Sequence, residues 1–343
     1  MIPSVPASRA SVEVLVSDAL NGQRLDKFIS LALHISRAEA SRWIDEGLVA
    51  LRRAEKVVAV KASDKVKPGD TYVVTPAAPP ATTLLPDPNV EFEVIHMDDD
   101  IVVVDKPAGL VVHPAAGNWD GTLVHGLLAL GAFRDPALLA GESEEGNVRP
   151  GIVHRIDKGT SGILVVARNA RAREALKVQF QEHTIGRHYA AIAKGAVPKQ
   201  VIRSLHGRDP SDRKRFTGHV RSGKLAVTHL EPLESFGTLA TLLRCSLETG
   251  RTHQIRVHLA EAGHGIVGDP VYGKRATSGP LVKIEATLQR QALHAEYLAF
   301  KHPRTGKKVE YQSPLPDDLL AAAESLRVVM NDAKRVEKPI RKR

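Results

Sequence analysis

Fourteen residues, PAAPPATTLLPDPN at 76–89, prevent this chain from folding as one continuous unit. Five prolines remove backbone donors and fix φ, so neither a helix nor an interior strand can run through them. The segment reads as a stiff, extended linker between a short piece and a long one. A second break follows Leu326. From Arg327 to the end, seven basic side chains (Arg327, Lys334, Arg335, Lys338, Arg341, Lys342 and Arg343) face only Asp332 and Glu337. The expected plan is therefore a module at 1–75, a linker at 76–89, a main domain at 90–326 and a basic, flexible tail at 327–343.

Charge narrows the partners. Of 343 residues, 48 are Lys or Arg and 39 are Asp or Glu, a formal net charge of +9. Such an excess suits a polyanionic partner, although the tail alone supplies +5 of it. One cysteine, Cys245, excludes an intrachain disulfide framework and a four-cysteine zinc site. No run approaches the ~20 apolar residues of a membrane span. The N-terminus has no basic start leading into an apolar core, so no secretory signal is expected. These features predict a cytoplasmic protein with no membrane partner. Monomer is the default expectation.

The first module reads as two helices and strands. Leu25, Phe28, Ile29 and Ala32 recur at helical spacing. Ser36 and Glu39 form a capping-box pattern that opens a second helix, with Ala40, Trp43 and Ile44 inward and Gly47 as its stop. Eleven basic residues against nine acidic ones through Thr75 leave the module nearly neutral, so any affinity for polyanions requires one basic face. Arg24, Lys27, Arg37, Arg42, Arg52, Arg53 and Lys56 are the candidates for that face.

From Val90 to about Leu320, short β-branched runs alternate with glycine and proline turns. IVVVDKP, GLVVHP, GILVVAR, YAAIAKG and LAVTHLEPL read as strands, and Ala172–His183 and Thr252–Gly263 as helices. Without regular strand–helix–strand alternation, the class is α+β: a mixed, largely antiparallel sheet with flanking helices.

Two clusters carry the candidate chemistry. The first is GIVHRIDKGTSGILVV at 151–166, a loop holding His154, Arg155, Asp157, Lys158, Thr160 and Ser161 between two runs that read as buried strands. Charge placed there is costly unless it pairs or meets a ligand. His-Arg-Ile-Asp superficially resembles a kinase catalytic loop, but the extra Ile breaks the spacing and no glycine-rich loop accompanies it. The second cluster is ETGRTHQIRVHL at 248–259, where Ile255 and Leu259 share a helical face and Arg256 projects beside them. His253, His258 and His264 are spaced by five and six residues, which misses the i, i+4 pairing of helical zinc motifs, so no metal site is expected. GDPVYGK at 268–274 nearly fits a phosphate-binding loop, but Arg275 stands where Ser or Thr is required.

The whole pattern resembles a known family. VVVDKPAGLVVHP (102–114), GIVHRIDKGTSGILVVAR (151–168), RHYAAIAKG (187–195), GKLAVTH (223–229), LETGRTHQIRVHLAEAGHGIVGDPVYG (247–273) and RQALHAEYLAFKHPRTG (290–306) are similar, in family order, to the RluA-type pseudouridine synthases. Within that family they are most similar to the large-subunit rRNA pseudouridine synthase D subgroup. GQRLDKFIS, ISRAEASRWIDEGLVAL and DKVKPGDTYVV resemble the ribosomal-protein S-four-like RNA-binding domain. One departure is LRRAEKVVAV, which stands where that domain has a short Val-Asn-Gly-Lys turn.

The resemblance implies isomerisation of uridine in RNA, most specifically large-subunit rRNA or assembling ribosomal particles, without a cofactor or metal. It makes Asp157 the essential carboxylate, either attacking C1′ or removing the C2′ proton. Arg256 is implied as its bidentate partner, and Tyr189 as the residue stacking on the flipped uracil. His154, Arg155, Lys158, Thr160, Arg251 and His253 are implied in substrate binding, with Arg155 filling the space the base vacates. Two alternatives share the basic module: a noncatalytic RNA-binding ribosome-assembly factor and a synthase acting on tRNA. A metal-dependent RNA hydrolase would need acidic ligand clusters that the sequence does not present.

Overall fold

The computed structural model describes residues 11–336 apart from 34, 36, 54–55, 76–83, 116, 136–137, 139–149 and 213–214. The chain divides into two compact units, Met1–Thr83 and Leu84–Arg343.

In the first unit, β1 (Val12–Leu15) precedes α1 (Leu25–Ala32) and α2 (Arg37–Asp45), and β2 (Val49–Arg53), β3 (Lys56–Ala59) and β4 (Thr71–Val74) complete an antiparallel sheet in the order β1-β4-β2-β3. The helical spacing read from sequence is the buried face: Leu25, Phe28, Ile29, Ala40, Trp43 and Ile44 pack with Leu51, Tyr72 and Val74 of the sheet. Gly47, at φ +74°, closes the chain after α2 in a conformation that a β-carbon disfavours. The expected capping box rests on Ser36, which lies outside the described residues. β2 and β3 pair with Arg53 opposite Lys56, so a hairpin stands where the sequence departs from the family turn.

The second unit holds a ten-stranded sheet. Its strands in chain order are β5 (Glu93–Met97), β6 (Ile101–Lys106), β7 (Ser161–Ala167), β8 (Gly186–Lys194), β9 (Gln200–Arg208), β10 (Phe216–Thr217), β11 (Lys224–Phe236), β12 (Ala240–Leu247), β13 (Leu293–Lys301) and β14 (Lys308–Gln312). The spatial order is β10-β9-β11-β12-β8-β13-β7-β6-β5, with β14 beside β13. Among the described pairs only β13 and β7 run parallel, so the sheet is mixed and mostly antiparallel. The helices are α3 (Leu123–Ala129), α4 (Ala170–Gln181), α5 (Gln254–Glu261), α6 (Pro280–Leu288) and α7 (Asp317–Val336).

β6 and β7 read as unbroken apolar runs because both their faces are covered. Val102, Val104, Leu164 and Val166 point into one core with Leu123 and Leu127 of α3. Ile101, Val103, Ile163 and Val165 point into another with Leu176 of α4 and Phe300 of β13. Gly162 sits where β7 meets β13: its φ is +114°, and a β-carbon there would lie 2.3 Å from Ala295 O. Gly162→Ala is expected to destabilise the protein by roughly 3 kcal/mol, because backbone rather than a flexible side chain must yield. Chemical denaturation checks this, and a loss below about 0.5 kcal/mol would contradict it.

Three expectations require correction. GLVVHP is not a strand: Val112 and His113 are buried, but in a loop bounded by Pro107 and Pro114, and apolar burial alone does not make a strand. Upstream of Asp157 the expected strand is a single bridge, Ile152 to Val166. The tail boundary at Leu326 falls inside α7, whose Leu319, Ala322, Ala323 and Leu326 are buried at helical spacing. Arg327, assigned to the tail, instead donates two hydrogen bonds to Glu234 of β11, at 2.8 and 2.7 Å. Of the expected linker, 76–83 lie outside the described residues. Leu84–Asn89 belong to the second unit, where Asp87 N–H donates to His125 O.

Candidate active site

Asp157 stands in the loop just before β7, and Arg256 on α5, 99 residues later in the chain. The sheet brings them together: Arg256 Nη1 donates to Asp157 Oδ2 at 2.8 Å. The bidentate grip expected for Asp157 is instead given to another residue. Arg256 Nε and Nη2 donate to Asp269 Oδ2 and Oδ1 at 2.7 and 2.9 Å. The guanidinium therefore joins two carboxylates, one fully buried (Asp269) and one with a 16% exposed side chain (Asp157). Burial opposes the charge of Arg256, and the hydrogen bonds and charges of the two carboxylates outweigh it, raising its pKa. Burial works likewise against Asp269, but Arg256 and the Tyr272 and Val271 backbone N–H groups hold its pKa below the ordinary range.

Asp157 opens onto a cleft of about 690 Å³ lined by His113, His154, Arg155, Arg187, Tyr189, Arg251 and His253, among others. A recess of about 50 Å³, lined by Asp157, Thr160, Tyr189 and Arg256, shares part of this lining. Tyr189 and Arg187 alternate along β8, so they share a face, and Cys245 of β12 lies opposite Tyr189. Burial raises the pKa of the Tyr189 phenol, with Arg187 pulling it down. Arg187 Nη2 donates to Glu248 O, and its guanidinium lies 5.4 Å from the Phe180 ring centre.

Below the loop, Lys106 is fully buried, and its ammonium donates to Pro107 O, Leu110 O and Lys158 O at 2.7, 2.8 and 3.3 Å. Burial pushes its pKa down to about 7, against the pull of Asp157. The ammonium thus ties the 107–110 turn to the loop carrying Asp157.

The other predicted residues divide by environment. His154 lines the cleft, yet its Nε2 accepts from Val165 N–H and its ring stacks on Phe180 at 4.6 Å. Burial, then the charge of Arg187, lowers its pKa to about 3, so it is neutral at physiological pH. Arg155 is exposed at the rim, whereas Lys158 Nζ donates to Asn118 Oδ1. Thr160 is buried, accepting from Gln291 Nε2 and closing a turn onto Asp157 O. Arg251 Nε donates to Leu225 O.

In the first unit, Arg24 and Arg37 both pair with Asp26, Arg52 pairs with Glu13, Arg42 lies 3.8 Å from Glu46, and Lys27 is exposed. The side chains of Arg53 and Lys56 lie outside the described residues.

The three histidines weighed as zinc ligands face separate partners: His253 Nδ1 meets Tyr272 Oη, His258 lies between Thr228 and Ser204, and His264 Nδ1 faces Lys194 O. Among the described residues, Asp98, Asp100 and His302 form the one group with metal-ligand donors within 4.8 Å of one another. Asp98 Oδ2 there already meets His96 and His302, and Asp100 meets Arg304 and Asn169. No described helix is long and apolar enough to cross a membrane.

Sequence reasoning missed Asp269, Tyr272 and Arg187. Arg187 could have been found from its i, i+2 spacing with Tyr189 on one strand. Asp269 and Tyr272 lie in the GDPVYG end of the family-like stretch 247–273, a signal that marks the segment without assigning either residue a role.

Comparison with known proteins adds the family. The RNA pseudouridylate synthase family profile matches residues 100–261. An uncharacterized RNA pseudouridine synthase, YlyB, of Bacillus subtilis (strain 168) is 42% identical over 319 residues, which are 92% of this chain and 98% of that protein. Ribosomal large subunit pseudouridine synthase D of Neisseria meningitidis serogroup A / serotype 4A is 43% identical over 316 residues, 90% of this chain and 80% of the relative. Human RNA pseudouridylate synthase domain containing 4 shares the fold, with TM-score 0.53 and 24% identity over 68% of this chain and 93% of that one. The likeness to the two bacterial relatives extends well beyond the 100–261 core and takes in the segments that carry Asp157, Arg256 and Asp269, so the chain belongs to the RluA-type RNA pseudouridine synthases, isomerases that act on RNA.

Proposed function

We propose that this enzyme isomerises specific uridines of large-subunit ribosomal RNA, with Asp157 as the essential carboxylate acting on an extruded base. The observation that carries the reading is the partly open Asp157 carboxylate, fixed by one arm of Arg256 at the base of a cleft that Tyr189 also lines. Cleavage of the N1–C1′ bond and rejoining through C5 need an ionised carboxylate at the sugar, and a buried guanidinium holds it aimed. Tyr189 presents a ring on which the turned uracil stacks. Ribosomal RNA is favoured over tRNA because several of the similar proteins are named large-subunit synthases.

The base leaves its stack at a cost of a few kcal/mol, which RNA contacts outside the cleft offset. The first unit supplies such contacts in this reading, through Arg24, Lys27, Arg37, Arg42, Arg52, Arg53 and Lys56. Removing residues 1–75 is expected to weaken RNA binding by about tenfold or more, leaving the catalytic unit folded. Unchanged affinity and site choice in that truncation would refute the division of labour.

The direct test is release of tritium from C5-tritiated, unmodified large-subunit rRNA, with tRNA and precursor particles alongside. Release from rRNA supports the reading. Release from tRNA alone would reassign the substrate, and binding without release from any RNA would favour a noncatalytic assembly factor.

A further inference from the structure

We propose that Tyr272 is a positioning residue of the reaction: its hydroxyl fixes the tautomer of His253, so that a neutral imidazole presents Nε2–H to the open oxygen of Asp157. This rests on the reading of Asp157 as the reacting carboxylate.

Tyr272 Oη lies 2.9 Å from Phe216 N and 2.8 Å from His253 Nδ1. The backbone N–H can only donate, so Oη accepts there. The phenol keeps one proton, and His253 Nδ1 is its remaining partner among the described residues. Donation to Nδ1 leaves the ring proton on Nε2. The opposite tautomer would strand the phenol proton and would turn the Nε2 lone pair toward Asp157 Oδ1, 3.7 Å away. Both considerations select the same state.

Arg256 holds Oδ2 of Asp157, so Oδ1 is the oxygen that faces His253. Four charged groups act on the ring: Asp157 and Asp269 favour protonation, and Arg256 and Arg155 oppose it. Burial is the largest influence, and the ring stays neutral. At 3.7 Å from Oδ1, a neutral ring turns an N–H dipole toward the carboxylate without adding a second full positive charge that would blunt its reactivity.

Two further features constrain where the ring sits. His253 has φ +59°, in the left-handed region that a β-carbon disfavours. Asp269, which grips Arg256, also accepts from Val271 and Tyr272 N–H and so sets the turn that delivers the phenol. One buried carboxylate thereby aligns both the guanidinium and the tyrosine.

The test uses full-length enzyme labelled with ¹⁵N-histidine and long-range ¹H–¹⁵N spectra, with His253→Gln identifying the ring by loss of its signals. At neutral pH the wild type is expected to show His253 neutral and protonated at Nε2. Tyr272→Phe keeps the ring beside Arg256, whose Cζ lies 5.1 Å from its centre, and removes only the hydroxyl. In that variant His253 is expected to become a mixture of tautomers. The kcat for tritium release should fall about tenfold, the factor lost with one oriented hydrogen bond, with KM within about twofold. An Nδ1–H tautomer in the wild type, or an unchanged tautomer and kcat in Tyr272→Phe, would overturn the proposal. Turnover surviving in Asp157→Asn would overturn the reading beneath it, and that failure is separable because the tautomer spectra do not depend on turnover.

Discussion

Asp157→Asn is expected to lower tritium release by at least about 10³-fold while leaving RNA affinity within about threefold. The substitution keeps the size of the side chain and an oxygen for Arg256, but removes the charge that either route at the sugar requires. It should not unfold the protein. Arg256 keeps Asp269 as a fully buried bidentate partner, so the variant retains one cation against one anion in the interior. Stability should therefore stay within about 1 kcal/mol of wild type, measured by denaturation. A folded, RNA-binding, inactive protein is the result that separates a synthase from an assembly factor. Turnover within about tenfold of wild type would show that another group reacts.

Arg256→Lys is expected to lose about 10²- to 10³-fold in single-turnover rate and roughly 2–4 kcal/mol of stability. Lysine preserves charge, so the loss isolates geometry. Three guanidinium nitrogens now reach two carboxylates at once, at 2.7, 2.8 and 2.9 Å. One ammonium on a flexible stem cannot span both, and whichever carboxylate it abandons is left buried with its charge poorly paired. Asp269→Asn gives the internal comparison. It keeps Oδ1 as acceptor for the Val271 and Tyr272 backbone N–H groups, removes the second charge, and turns an amide NH2 toward Arg256 Nε where Oδ2 accepted. It should cost less rate than Arg256→Lys, because Arg256 can still bond Asp157. Near-normal single-turnover rates in Arg256→Lys would remove the role given to the fork.

The sequence made the fold class and the central pair legible for different reasons. β6 and β7 announced themselves because strands covered on both faces are apolar throughout, as IVVV and ILVV are. GLVVHP shares that composition, and its Val112 and His113 are buried too, but the flanking Pro107, Pro114 and the Gly109 turn make it a loop. Asp157 and Arg256 were visible through dense motifs. The fork that actually organises them was not, because Asp269 and Arg256 stand 13 residues apart and no helical or strand spacing joins them. α7 ran past its expected end because Arg327 was counted as charge, whereas its partner Glu234 lies 93 residues earlier. For Asp269 and Arg327, the deciding contact is one that no local pattern encodes.

The order of strands also bears on how the enzyme is made. β13 lies between β8 and β7 and is the strand through which the β5–β7 and β8–β12 halves of the described sheet are joined. By the time residue 273 has left the ribosome, the nascent chain already contains Asp157, Tyr189, Arg256, Asp269 and Tyr272, but lacks the strand at 293–301 that connects the surfaces bearing them. The first unit, by contrast, completes its own sheet by Val74. Synthesis from the N-terminus thus delivers a finished small unit long before a working cleft. The cleft is complete only once the chain has supplied its central seam.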